Sequence, residues 1–180
     1  MSILKFLGLS GKEDQAPEPG PGTTERDTVH RISQALESLE PDQARHIAAF
    51  AFILSRVANA DSHISEEETR EMERQAVRWG HLSEEQAALV VQIAKHQNVL
   101  FGSTDNFVVT REFNNMASRE QKVELLHCLF AVSASDDSIS TRENATISQI
   151  ARELKFRQPE LVEIRGAYRD KLAVLKNLPG

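Results

Sequence analysis

Two stretches of this chain carry one pattern in register at an offset of 75 residues, and that internal repeat constrains the fold more than any other feature. The first is Ala60-Asp61-Ser62-His63-Ile64-Ser65-Glu66-Glu67-Glu68; the second is Ser135-Asp136-Asp137-Ser138-Ile139-Ser140-Thr141-Arg142-Glu143. The same offset carries Phe50, Leu54, Val57, Met72, Ala76 and Trp79 onto Leu125, Leu129, Val132, Ile147, Ala151 and Leu154. Apolar residues therefore recur on both flanks of each acidic segment. The repeated unit reads as helix, acidic loop, helix, which is duplicated structure with its packing positions preserved.

At 180 residues the chain has room for one compact domain and a tail. Charged residues make up 27% and the net charge is −6, which leaves no basic stripe for phosphate neutralisation. Nucleic acid is thus not an expected partner, whereas a protein partner is. The single cysteine, Cys128, lies in an apolar run and has no second cysteine to pair with. It reads as a core thiol in a reducing compartment. No stretch reaches the roughly 20 apolar residues of a spanning helix, and no signal-peptide pattern stands at the N-terminus. The expected location is the cytoplasm, with membrane association through residues 1–9 left open.

Residues 1–24 read as a short apolar head and a flexible linker. Ile3, Leu4, Phe6, Leu7 and Leu9 surround Lys5, and Pro17, Pro19, Gly20, Pro21 and Gly22 follow. The head suits self-docking, or peripheral association with a membrane or a membrane protein; a helix this short is marginal alone. Residues 25–180 read as an all-α bundle of about seven or eight helices, because apolar spacing of three and four residues persists and no strand alternation does. Val29, Ile32, Leu36 and Leu39 form one stripe, and Pro41 opens the next helix. Ala48-Ala49-Phe50-Ala51-Phe52-Ile53-Leu54 is apolar on all sides, which places that helix at the centre, beside its counterpart from Val123 to Ala134. Capping boxes are expected at Ser65/Glu68, Ser83/Gln86, Ser118/Gln121 and Ser140/Glu143. Stops are expected at Gly80 and Gly102, and a last helix from Pro159 through Leu172.

Asp61, Glu68, Asp136 and Glu143 are the candidate metal ligands. Each also has an architectural role: the glutamates complete capping boxes, and aspartate at a helix end satisfies turn donors. If both acidic loops reach one end of the bundle, four carboxylates converge, and a divalent cation between them relieves their repulsion. If the loops lie at opposite ends, each pair stands alone. An EF-hand is excluded, since Val57 and Val132 stand at its first ligand position and Ser62 and Asp137 at its glycine. His63 has no counterpart, because Ser138 takes its place, so matched zinc histidines are absent. His127 and Cys128 are adjacent on a helix and point about 100° apart, which rules out a nucleophile and base pair. No phosphate loop, nucleophile elbow or paired CxxC is present.

At the repeat the sequence resembles the TerB-like tellurite-resistance family, whose members carry Ala-Asp-Gly-x-Ile-x-x-x-Glu after a buried helix, typically twice. Asp61, Ile64 and Glu68, then Asp136, Ile139 and Glu143, match that pattern, and the resemblance spans about Gln43 to Phe156. Ser62 and Asp137 replace the family's glycine. The resemblance implies an all-helical bundle similar in fold to the N-terminal region of membrane-anchored DnaJ-type co-chaperones; the His-Pro-Asp of a J-domain is absent here. It further implies a non-catalytic accessory protein of tellurite or stress response, with acidic residues that bind a divalent metal and with protein partners at the membrane. Two other readings stay open: a pure interaction domain whose acidic residues are only caps, and a metal-dependent hydrolase using the same carboxylates.

Overall fold

A computed structural model describes residues 23–58, 64, 66–97, 100, 106–135 and 138–173. Among them run eight α-helices: α1 (Thr23–Glu37), α2 (Pro41–Ala58), α3 (Glu66–Gly80), α4 (Glu84–Lys95), α5 (Asn106–Met116), α6 (Arg119–Ser133), α7 (Thr141–Glu153) and α8 (Gln158–Gly166). A short 3₁₀ turn, Arg169–Lys171, follows. The architecture is the expected all-α bundle, and no helix among the described residues is long and apolar enough to cross a membrane.

The centre is α2, as its all-round apolar sequence requires. Every residue from Ile47 to Ser55 is buried, with Phe52, Ile53 and Leu54 fully so. Burying each such side chain contributes on the order of 1.5–3 kcal/mol. Around α2 stand α4, α5, α6 and α7, and α1 covers the seam between α2 and α4 through Ile32 and Leu36. The duplicated hairpins exchange partners: α3 packs mainly on α6 and α4, while α7 packs on α6, α2 and α5. All six repeat-related apolar pairs lie in the core or against it, with Trp79 alone half-buried.

One buried polar contact ties the shell to the centre. Arg56, in the last turn of α2, donates from Nη1 to Glu153 Oε2 at 2.7 Å and from Nη2 to Oε1 at 3.1 Å. The same Nη1 donates to the Thr110 hydroxyl of α5 at 2.8 Å, and Gln149 donates to Glu153 at 3.0 Å. The paired side chains are only 7% and 12% exposed. Burial alone raises the Glu153 carboxyl; the bonds and charge of Arg56, with those of Thr110 and Gln149, outweigh it and hold the group below its ordinary value.

Several expected boundaries move. Three of the four capping boxes form, at Ser83/Gln86, Ser118/Gln121 and Ser140/Glu143; Ser65 lies outside the described residues. At α8 the box is half-built: Glu160 accepts from the Arg157 N–H at 2.8 Å, but an arginine side chain has no acceptor to return. Gly80 ends α3, yet His81 takes the left-handed conformation, at φ 49. Gly80 is needed for close packing instead, since a Cβ there would lie 3.1 Å from Phe50 Cζ. Helix α4 stops at His96 rather than at Gly102, with the His96 Nδ1 2.8 Å from the Gln92 carbonyl; Gly102 lies outside the described residues. The last helix ends at Gly166, well short of Leu172. Beyond the 3₁₀ turn the backbone is extended and forms a parallel bridge with Ile139, through Ile139 N–H to Lys171 O at 2.7 Å and Ala173 N–H to Ile139 O at 3.0 Å.

Removing one partner of a buried pair strands the other. Arg56→Ala is expected to cost about 3 kcal/mol in urea unfolding at pH 7. Because the Glu153 carboxyl is depressed in the fold, its contribution is present above the ordinary carboxylate range and lost as pH falls through the folded value. Glu153→Gln should therefore flatten that part of the acid limb of a stability profile, and an unchanged limb in denaturant titrations would contradict the assignment.

Candidate functional site

The acidic loops are built from the helix ends inward. Copy one leaves α2 at Ala58 and enters α3 at Glu66; copy two leaves α6 at Ser133 and enters α7 at Thr141. Asp61, Ser62, His63 and Asp136 lie outside the described residues, so of the four candidate ligands the structure places Glu68 and Glu143. The motif isoleucines are plugs: Ile139 is 1% exposed, and Ile64 packs half-buried against the core. Each anchors its loop by the same apolar contact that the repeat preserved.

Glu143 is the third residue of α7 and closes the capping box. Its Oε2 accepts from the Ser140 N–H at 2.8 Å, while its own N–H donates to Ser140 Oγ at 3.2 Å. Glu68 occupies the equivalent position of α3, half-buried behind the exposed Glu66 and Glu67. Lys95, at the end of α4, donates to Thr69 Oγ1 at 3.3 Å, which brings an ammonium group to that acidic first turn. Among the described residues no three His, Cys, Asp or Glu side chains gather closely enough to hold a metal ion.

The Arg56–Glu153 pair fixes how the loops are spread. Arg56 stands two residues before the end of α2, at the mouth of the first loop, and touches the last residue of α7. The second loop exits at the opposite end of α7, a helix of 13 residues and so about 18 Å long.

Other chemistry escaped the periodicity. Trp79 of α3 stacks on His127 of α6, with centroids 4.7 Å apart and planes 13° from parallel. The Tyr168 hydroxyl donates to the His127 carbonyl at 3.1 Å and lies 3.2 Å from its Nδ1. Burial lowers the His127 pKa and pushes Tyr168 up to about 12. The neighbouring Cys128 is fully buried, which pushes its thiol to about 12 and leaves it inert as a nucleophile. A polar groove of about 600 Å³ opens between the start of α2, the α3–α4 turn and α6. There His81 Nε2 stands 3.3 Å from Glu124 Oε1, and the half-buried His46 ring packs 5.1 Å from that of Phe113. In the sequence these histidines are scattered singly, and only the fold gathers them.

A duplicated helix–loop–helix bundle with acidic residues at both loops defines a class of small all-α modules. Within that class, the family model described as tellurite resistance protein TerB matches residues 46–166, and the chain belongs to that family. No curated protein and no solved structure matches it significantly.

Glutamine serves as well as glutamate in two of this protein's capping boxes, at Gln86 and Gln121. Glu143→Gln should accordingly shift the unfolding free energy by about 0.5 kcal/mol or less, whereas Ser140→Ala should cost about 1 kcal/mol. Chemical denaturation of the two variants checks this; equal losses would mean that Glu143 carries a structural role beyond the cap.

Proposed function

We propose that the protein is a non-catalytic adaptor of tellurite or stress response whose two acidic loops each bind a divalent cation. The observation that carries this reading is the family match itself, which runs through both loops with an Asp and a Glu kept at the same register in each. The chemistry is compatible. Carboxylates with backbone carbonyls and water suit calcium, magnesium or manganese. Glu143 needs only Oε2 for its cap, which leaves Oε1 for a ligand. The spread of the loops along α7 favours two separate sites of one acidic pair each over a single shared ion. Asp61 with Glu68 would serve the first, and Asp136 with Glu143 the second. Lys95 beside the first competes with an ion there and makes the second the tighter of the two.

Cation binding in such a module changes net charge and stiffens a loop, which suits a switchable contact with a protein partner. Cytoplasmic action with association at a membrane through residues 1–9 completes the proposal. The interaction-domain reading keeps the same fold and drops the ions.

Titration of the metal-free protein with calcium, magnesium, manganese and zinc, followed by backbone amide signals, separates the two. Saturable changes near 60–68 and 135–143 are expected, with Asp61→Asn silencing the first set and Asp136→Asn the second. Changes at both loops lost together in either single variant would indicate one shared ion. No response at millimolar cation would reduce the acidic residues to caps and turns.

A further inference from the structure

A second cleft, of about 420 Å³, opens between the start of α7, the face of α8 and the extended segment after it. Its walls are apolar: Ile139, Leu172 and Ala173 on one side, and Val162, 47% exposed, on the other. Volume and lining are those of a small-ligand site, an apolar pocket with a few polar groups at its edge. Three further observations define what it takes. Arg165 and Arg169 stand at the cleft, and neither guanidinium has a carboxylate partner among the described residues. In a chain of net charge −6, two arginines with no carboxylate partner among the described residues, flanking an apolar pocket, mark a place for an anion. The Asn144 carboxamide also lines the cleft, and its Oδ1 is buried with no donor. Finally, Gly166 forms part of the wall, and a Cβ built there meets nothing within 4 Å, so no neighbour fills the space in front of it.

An apolar group, one N–H donor and one carboxylate at short range are the parts of a terminal peptide residue. We infer that this cleft captures the free C-terminus of a partner polypeptide ending in an apolar residue. The terminal carboxylate pairs with Arg165 and Arg169, the last amide N–H donates to the Asn144 Oδ1 after a turn of that carboxamide, and the terminal side chain lies among Ile139, Val162 and Leu172. This is capture of a C-terminal carboxylate, one of the recurring modes of peptide recognition. A plain fatty carboxylate would meet the arginines and the apolar wall but offer the Asn144 Oδ1 no donor. The inference is independent of any cation at the acidic loops.

The test uses the full chain and three probes: an acetylated tripeptide ending in a free leucine carboxylate, its C-terminal amide, and octanoate. Amide signals of 139–144 and 162–173 should move saturably with the first. The C-terminal amide should bind at least about tenfold more weakly, the loss expected for one charge-assisted contact. Arg165→Gln with Arg169→Gln should weaken the acid probe to the same degree and leave the amide probe unaffected. Gly166→Leu adds a side chain at the wall of the cleft where no neighbour opposes it, so it should weaken binding with thermal stability kept. No response to the acid probe at several millimolar, equal binding of acid and amide, or undiminished binding to Gly166→Leu would overturn the assignment. Octanoate binding as tightly as the peptide would overturn it in favour of a lipid-like carboxylate.

Discussion

The bidentate contact between Arg56 and Glu153 is the constraint on which the arrangement of the outer helices depends. Burying two charges is expensive, and such a pair adds little net stability over an apolar one of equal shape. Its value lies in position. A hydrophobic seam tolerates sliding by a turn, whereas a guanidinium that must meet two carboxylate oxygens and a hydroxyl on a third helix tolerates almost none. The ends of α2 and α7 and the beginning of α5 are thereby held in one register.

That pair also breaks the duplication. Shifted by 75 residues, Arg56 falls on Ala131 and Glu153 on Arg78, so the related seam has no such pair. There Arg78 lies over the Trp79 ring at 5.4 Å, and the joint is made by aromatic stacking with His127 and Tyr168. One half of the bundle is thus locked by charge and the other by rings. A symmetric origin has been filled in with two different chemistries.

Much of the fold was legible because its signals are local and periodic. The all-round apolar run of α2, three of the Ser-x-x-Glu/Gln starts and the apolar register at 75 residues each follow from the neighbours of a residue in the chain, and these appear where expected. The misread features depend on what meets a residue across space. Gly80 ends its helix as expected but also leaves room for Phe50, which the sequence did not show; Leu172 looked like the last turn of a helix and proved to be a backbone partner of Ile139. Periodicity cannot distinguish a buried helical position from a buried extended one when a single residue is involved. For the candidate site, the isoleucine plugs and the Glu143 cap follow from the motif, but the separation of the loop mouths required knowing that Arg56 pairs with Glu153, 97 positions away.

The parallel bridge between Ile139 and Leu172 ties the second copy to the chain that follows the last helix. In the second copy the exit of the loop is stitched to the returning chain by two backbone hydrogen bonds, and in both copies the motif isoleucine packs in or against the core. The family match stops at residue 166, before the segment that forms this bridge. A fragment trimmed to residues 46–166 would keep the six helices from α3 to α8 and most of α2, and would lose α1 and the stitch together. A domain excised along the family outline would lack both the cover that α1 gives the seam of α2 and α4 and the backbone tie that Leu172 gives the second loop.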